Sequence, residues 1–174
     1  MVIQDYNKWY TGHIASWWGN KHRDLEYVNE PFNDQSSLDK WKALGFTQTK
    51  FTGDMYDMRF NEPAWLDGFG AYFKSWYSLS WSVYRMGPGT VLPNHSDTYA
   101  RYIKINNLKN SKNVWRAVIF LESWQSGHYL EIDGNSITGW CAGDYVAWND
   151  DVEHLAANMG ETDRYTLQLT GFKL

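Results

Sequence analysis

The chain has 174 residues, with 16 Lys and Arg against 20 Asp and Glu, so its net charge is -4. Large apolar residues are too frequent for a disordered chain, and no run of about 18 apolar residues predicts a membrane span. The acidic balance and the lack of a basic block argue against a nucleic-acid partner. The 31 Phe, Trp and Tyr outnumber the 28 Ile, Leu and Val, which predicts a soluble globular protein with an interior built largely from rings.

Cysteine content and the amino terminus bear on the compartment. Cys141 is the only cysteine, which excludes an internal disulfide framework and a Cys-rich zinc site. The stretch from Met1 to Tyr10 has no apolar centre, so we expect no secretory signal. The expected location is therefore cytoplasmic, where reducing conditions suit a ferrous site.

The amino-terminal part has little regular pattern. Residues 1 to about 35 are predicted to form loops with short strands. Ser36 and Ser37 predict the cap of a first helix over 38–44, and Gly45 predicts its end.

A second helix is predicted after Asn61, because Pro63 suits its first turn and aromatic residues recur there at helical spacing.

From Ser78 onward, short β-like runs alternate with turn-forming residues. The predicted strands are 79–86, 90–97, 99–106, 114–122, 127–133, 144–149, 153–158 and 164–172. About eight short strands predict a sandwich or barrel with the helices packed outside. Residues 1–174 are predicted to form one domain, because no linker or repeat divides them.

His95 and Asp97 are the first candidate metal ligands. Side chains two residues apart in an extended segment point to the same side, so this imidazole and carboxylate can bind one ion. His154, near the start of a later predicted strand, can complete the set. Two His and one carboxylate on one face of an octahedral ion leave three positions open, as in non-haem Fe(II) oxygenases.

The segment after His154 adds a second pattern. His154, Asn158 and Arg164 follow a His-x3-Asn-x5-Arg spacing, whose expected chance count is about 0.01 in a chain of this composition. Arg164 begins a predicted strand in which polar residues occupy one face and Tyr165, Leu167 and Leu169 the other. The polar face lies either in solvent, as is common in antiparallel sheets, or inside the mouth of a barrel. There Arg164 could hold a carboxylate through two parallel hydrogen bonds.

Together these residues resemble the aspartyl/asparaginyl β-hydroxylase type of 2-oxoglutarate/Fe(II) oxygenases. The resemblance covers about residues 79–172, is most specific from 143 to 164, and has no counterpart in residues 1–78. It rests on Trp115-Arg116, Gly127-His128-Tyr129-Leu130, Trp140, Gly143-Asp144, Trp148-Asn149-Asp150-Asp151, Glu153-His154, Asn158 and Arg164.

The resemblance implies a double-stranded β-helix (jelly-roll, cupin-like) fold, an Fe(II) centre and 2-oxoglutarate as co-substrate. His95 and His154 match the two metal-binding His of that family, and Arg164 matches the Arg that binds the far carboxylate of 2-oxoglutarate. Some peptide-hydroxylating members lack a carboxylate two residues after the first His. Asp97 therefore brings this chain closer to relatives that hydroxylate free amino acids and to 2-oxoglutarate oxygenases at large, which favours a complete triad but does not identify the substrate.

Three further residues are candidates for binding the co-substrate. Arg116 shares a strand face with Val118 and Phe120; it either faces the pocket or pairs with an acidic neighbour, because burying it unpaired is costly. His128 after Gly127 either reaches the pocket or is satisfied structurally. Tyr84 is the candidate for a hydrogen bond to the co-substrate.

Three other residues are candidates for contacts with the substrate. If the strand is unbroken, Arg101 points to the same side as His95 and Asp97, which makes it a candidate anchor for the substrate. Trp140 and Trp148 are candidate cavity walls, although packing alone accounts for most Trp residues.

Asp150 is a candidate hydrogen-bond partner for the second ring nitrogen of His154.

The function predicted from these residues is a 2-oxoglutarate- and Fe(II)-dependent dioxygenase. It would use O2 to hydroxylate an unactivated C–H of an amino acid, free or within a peptide, and release succinate and CO2. Two alternatives stay open at this point. One is a cupin-like metalloenzyme that does not use 2-oxoglutarate, and the other is a Trp-rich jelly-roll module that binds carbohydrate.

Overall fold

The computed structural model describes residues 8–48, 50–58 and 61–174. Its strands are β1 (Trp9–His13), β2 (Tyr27–Asn29), β3 (Asp54–Tyr56), β4 (Tyr77–Met86), β5 (Val91–His95), β6 (Val114–Phe120), β7 (His128–Ile132), β8 (Asn135–Ile137), β9 (Asp144–Asn149), β10 (His154–Asn158) and β11 (Arg164–Phe172). Its α-helices are α1 (Gln35–Ala43) and α2 (Ala100–Ile105), and its 3-10 helices are Lys21–Asp24, Ala64–Leu66 and Phe69–Tyr72.

The strands form two antiparallel sheets. The larger sheet has the order β1-β9-β6-β11-β4-β3-β2, and the smaller has the order β5-β10-β7-β8. The predicted mainly β jelly-roll class is confirmed. Seven of the eight predicted strands have counterparts, displaced by at most a few residues at their ends. Strands β1 and β2 lie in the amino-terminal part that was predicted to form loops with short strands, whereas β3 and β8 lie outside every predicted range.

The larger sheet packs on both faces, because side chains alternate along each strand. One face carries Ile119, Leu167 and Leu169, which are fully buried beneath amino-terminal aromatic residues such as Trp18 and Phe69. The opposite face meets the smaller sheet across a second cluster: Trp9, Met86, Val118, Phe120, Leu130, Ile132, Trp140, Val146, Trp148, Val152 and Ala156. The amino-terminal segment therefore covers the outside of the sheet, and the interior of the jelly roll lies between the sheets.

Two predicted elements are wrong. The expected strand over 99–106 is instead helix α2, because Tyr99 adopts a left-handed conformation, with φ of 51°, and turns the chain. The predicted second helix is two 3-10 helices interrupted at Gly68, where φ is +100°.

The first helix lies where it is expected but begins earlier. Asp34 is its N-cap, and its carboxylate accepts hydrogen bonds from the Ser36 amide at 3.1 Å and the Ser37 hydroxyl at 2.7 Å. The two serines thus lie in the first turn rather than at the cap. No helix in the described ranges is long and apolar enough to cross a membrane. Of Met1 to Tyr10, where no secretory signal is expected, the first seven residues lie outside the described residues.

Candidate metal centre

Two strands of the smaller sheet bring the predicted metal ligands together. His95 ends β5 and His154 begins β10, and the two residues are direct partners in the antiparallel ladder. Directly opposed residues point to the same face of a sheet, so both imidazoles face the interior. Asp97 follows in the loop after β5, and this loop turns at Tyr99 before α2.

The three side chains are close enough to share one ion. One ligand atom from each of His95, Asp97 and His154 lies within 4.8 Å of the others. His154 Nε2 is 3.7 Å from Asp97 Oδ2, and the two imidazole centroids are 4.3 Å apart. Both His residues are buried, at 6% and 5% exposure.

Backbone carbonyls orient both imidazoles. Nδ1 of His95 lies 2.9 Å from the carbonyl oxygen of Pro93, and Nδ1 of His154 lies 3.0 Å from that of Val152. A carbonyl only accepts, so each Nδ1 must carry the proton, which leaves the Nε2 lone pair for a metal. The prediction that Asp150 fills this role for His154 is wrong, because Asp150 accepts instead from the Ser111 hydroxyl at 2.9 Å.

Asp97 presents one oxygen to the site. Its Oδ1 accepts a hydrogen bond from Arg116 Nη1 at 3.0 Å, whereas its buried Oδ2 has no hydrogen-bond partner. Burial raises the pKa of Asp97, but the positive charge of Arg116 is the largest of the effects that oppose it, and the net pKa is lowered. A buried carboxylate oxygen beside two imidazole lone pairs fits a metal ion with nitrogen and oxygen ligands.

Burial keeps the imidazoles neutral, which is the form that binds metal. It lowers the pKa of His154 to about 4, although the negative charge of Asp97 opposes the shift. Burial also lowers the pKa of His95. The site therefore needs no proton release from either imidazole near neutral pH.

Aromatic rings surround the two imidazoles. Trp148 lies with its ring centroid 4.8 Å from that of His154. Phe32 and Trp41 approach His95 edge-on at 5.4 and 5.7 Å, and Trp41 also donates to the Asn94 carbonyl. Trp148 was a predicted cavity wall. Phe32 and Trp41 were not predicted, because they precede His95 by more than 50 residues and carry no motif.

Arg164 is buried without a counter-ion. The residue is 8% exposed, and its guanidinium donates from Nη1 to the Tyr129 carbonyl at 2.7 Å, while Nε has no hydrogen-bond partner. No Asp or Glu of the described residues forms an ion pair with it. Burial lowers its pKa to about 10. Such a buried cation is costly unless an anion accompanies it.

The polar stripe that begins at Arg164 faces the space between the sheets. Thr166 and Thr170 are buried, and Thr166 is flanked in the ladder by Tyr84 on one side and Phe120 on the other. Phe120 belongs to the cluster between the sheets. The alternative of a solvent-facing stripe is therefore wrong.

Asn158 explains the spacing between His154 and Arg164. This fully buried amide donates to the carbonyls of Met86 at 2.7 Å and Thr162 at 2.8 Å, and it accepts from the Gly160 amide. It thereby holds the turn between β10 and β11, which sets where Arg164 enters the sheet.

The remaining co-substrate candidates lie around this interior. Arg116 forms the ion pair with Asp97, so the interpretation that it pairs with an acidic neighbour agrees with the structure. His128 is buried near Arg164, and its Nε2 lies 3.1 Å from the Thr162 carbonyl. Tyr84 donates to Glu30 at 2.6 Å. Their contacts with a co-substrate stay predictions.

The other two substrate candidates differ in position. Trp140 is buried and stacks on Phe120, with centroids 3.9 Å apart and an 8° angle between planes. Arg101 is exposed on α2. The prediction that Arg101 points to the same side as His95 and Asp97 along one strand is wrong, because β5 ends at His95 and the chain turns at Tyr99.

The fold is similar to that of several solved structures. A prolyl-4-hydroxylase from Pseudomonas putida matches with a TM-score of 0.60 and 14% identity, over 97% of this chain and 94% of that one. A cupin protein from Bacteroides fragilis matches with a TM-score of 0.39 and 17% identity, over 54% of this chain and 65% of that one. No family model and no curated protein sequence matches this chain. At 14% identity the similarity to the prolyl-4-hydroxylase structure shows the fold alone, a double-stranded β-helix, and not an activity.

Proposed function

We propose that the protein is a 2-oxoglutarate- and Fe(II)-dependent dioxygenase of the aspartyl/asparaginyl β-hydroxylase type. In this proposal it hydroxylates an unactivated C–H of an amino acid, free or within a peptide, with release of succinate and CO2. The observation that carries the proposal is Arg164, a buried guanidinium without a counter-ion, facing the same interior as a His-Asp-His triad.

The triad has the donor set for ferrous iron. His95, Asp97 and His154 would hold the ion through two neutral imidazoles and one carboxylate, which leaves a net positive centre with open positions. When bound, the iron would supply the activation of oxygen and the oxidation of the C–H bond. The protein's own task is to hold these ligands, to orient the organic molecules and to keep water out.

In this proposal Arg164 holds the far end of a dicarboxylate. β10 rises about 3.3 Å per residue, so its ends at His154 and Asn158 are roughly 13 Å apart. Arg164 begins β11 near the Asn158 end, and the metal ligands lie at the other. A guanidinium can hold one carboxylate through paired hydrogen bonds, while the opposite end of the same molecule reaches the metal. The Arg164 side chain, the bound molecule and the metal-ligand side chains would share that distance, and 2-oxoglutarate has the two groups needed: a carboxylate for the guanidinium and a chelating 2-oxo acid end for the metal.

Buried rings support the exclusion of water. Trp148 packs against His154, and the stacked Trp140 and Phe120 lie within the cluster between the sheets. Arg116 holds Oδ1 of Asp97, which leaves Oδ2 for the ion. We assign Arg116 a positioning role, and we keep the cytoplasm as the proposed compartment because reducing conditions maintain ferrous iron.

The decisive test is anaerobic calorimetry of 2-oxoglutarate binding to protein loaded with Mn(II), an inert substitute for Fe(II). Wild-type protein should bind 2-oxoglutarate only when metal is present. Arg164→Met should weaken binding at least about thirtyfold, since a buried charge pair contributes about 2 kcal/mol or more. Lys104→Met, which removes an exposed cation on α2, is the matched control and should bind like wild type.

Absence of 2-oxoglutarate binding in folded, Mn(II)-loaded protein would refute the proposal. Retained metal binding in that case would favour a cupin-like metalloenzyme that does not use 2-oxoglutarate, because the triad serves that chemistry equally. The carbohydrate-binding alternative has less support. Of the eleven Trp, all within the described ranges, seven are buried, and Trp17 is the one classed as exposed, at 39%.

A further inference from the structure

A cavity of about 240 Å³ lies beside the candidate metal centre. Its lining residues come from β2, α1 and the segments next to them: Asn29, Glu30, Pro31, Phe32, Leu38, Lys50 and Phe51. Two of them connect this cavity to the interior of the jelly roll. Phe32 packs edge-on against the metal ligand His95, and Glu30 accepts a hydrogen bond from Tyr84.

Glu30 brings a carboxylate to this cavity without a cationic partner. The Tyr84 hydroxyl donates to its Oε2 at 2.6 Å, and no Lys, Arg or His in the described ranges forms an ion pair with it. Its charge helps to raise the pKa of Arg116, which places it within electrostatic reach of the metal centre. A half-buried carboxylate with a free oxygen can accept charge-assisted hydrogen bonds from an ammonium group.

Lys50 lines the same cavity. Strands β2 and β3 bring it near Glu30, because Asn29 pairs with Asp54 in the ladder and the Thr52 hydroxyl donates to the Glu30 carbonyl. Asp54 accepts from Lys50 Nζ at 2.5 Å. An ammonium has three N–H donors, so two are left for another acceptor. The cavity therefore combines one free carboxylate oxygen with one available ammonium.

We propose that this cavity is the substrate site and that it selects a free α-amino acid. Glu30 binds the α-ammonium, Lys50 binds the α-carboxylate, and the side chain lies beside Phe32 and points toward His95. The inference rests on the proposed function and names its substrate class. The volume has room for roughly eight water-sized groups, which suits one amino acid better than a peptide segment.

The test compares free and blocked amino acids on Mn(II)-loaded protein with 2-oxoglutarate under anaerobic conditions. The common α-amino acids are titrated by calorimetry, and the tightest ligand is compared with its N-acetyl and its C-terminal amide derivatives. We expect each blocked form to bind at least about tenfold more weakly, the effect of roughly 1.4 kcal/mol. This comparison uses wild-type protein, so it does not depend on the folding of a variant.

Variants then assign each contact. In Glu30→Gln the free and N-acetylated ligands should bind equally, and in Lys50→Met the free and amidated ligands should bind equally, because each variant removes what the blocking group removes. Glu26→Gln, which removes an exposed carboxylate that does not line the cavity, should keep the full discrimination.

Several outcomes would overturn the inference. They are equal binding of free and blocked ligands to wild-type protein, stronger binding of peptides than of free amino acids, and unchanged discrimination in Glu30→Gln. Failure of 2-oxoglutarate to bind would instead refute the proposed function. The same amino-acid titrations on protein carrying Mn(II) alone would then still decide whether the cavity selects free amino acids.

Discussion

Removing Arg116 should destabilise the metal-free protein strongly. Its Nη1 lies 3.0 Å from Oδ1 of Asp97, the side chains of this pair are 23% and 14% exposed, and its guanidinium also lies 5.3 Å from the Tyr99 ring centroid. Breaking a buried ion pair by removing one partner costs roughly 3–5 kcal/mol. Because both side chains keep some exposure, we expect about 3 kcal/mol for Arg116→Met. At roughly 2–4 °C per kcal/mol for a chain of this size, Tm should fall by about 6–12 °C.

The assay is thermal unfolding of metal-free wild type, Arg116→Met, Asp97→Ala and the double variant. The double variant has no buried charge left unpaired, so it should be more stable than the sum of the single effects predicts, by about 2 kcal/mol. Mn(II) should restore part of the stability lost in Arg116→Met, since the ion compensates the charge of Asp97. Additive single effects, within about 0.5 kcal/mol, would refute this account of the pair.

Three further predictions concern His154, the β10–β11 turn and one glycine. Burial lowers the pKa of His154 from 6.5 to about 4, so as pH falls the unfolded chain takes up this proton before the folded chain does. Denaturant titrations of the metal-free protein should therefore show about 3 kcal/mol of stability lost between pH 6.5 and pH 4. His154→Asn should lack this part of the loss, and an unchanged pH dependence in that variant would contradict the prediction. Asn158→Ala should lower the free energy of unfolding by roughly 2–4 kcal/mol, because it removes the three hydrogen bonds of a fully buried side chain. Calorimetry should show weaker 2-oxoglutarate binding with Mn(II) binding kept, whereas wild-type affinity would argue against the turn's role. Gly143→Ala should lower Tm far more than the control Gly134→Ala. Both glycines have a positive φ, but of the two only Gly143 would place a Cβ 1.9 Å from a backbone oxygen. Equal Tm values in the two variants would show that this close approach does not affect stability.

Local sequence patterns determined much of the jelly-roll core. The alternation in β11 predicts a strand with one polar face, because side chains in an extended chain alternate with a period of two. The sequence also predicts that His95 and Asp97, two residues apart, can share one metal ion. The spacing from His154 to Arg164 can likewise be recognised in the sequence. These residues lie at strand ends or in a short turn, where local geometry decides which way a side chain points.

Contacts between distant segments were decided only by the tertiary structure. Glu30 and Phe32 reach Tyr84 and His95 across more than 50 residues of chain, and no local pattern reports such a contact. The same holds for β1, which is a strand because it pairs along its length with β9. A β-strand is completed by partners from elsewhere in the chain, so its existence depends on which segments the fold brings together.

Conformation at single residues decided the rest of the site. The prediction that His95 and Arg101 point to the same side assumes an extended chain. The left-handed conformation of Tyr99 ends the extended segment, and Arg101 lies on helix α2 instead. The second ring nitrogen of His154 is held by the Val152 carbonyl rather than by the Asp150 carboxylate. Sequence spacing thus determined which groups could bind a metal, and the packing of the two sheets with the amino-terminal segment decided what surrounds them. Spacing reports only local geometry, whereas the surroundings depend on contacts across the whole chain.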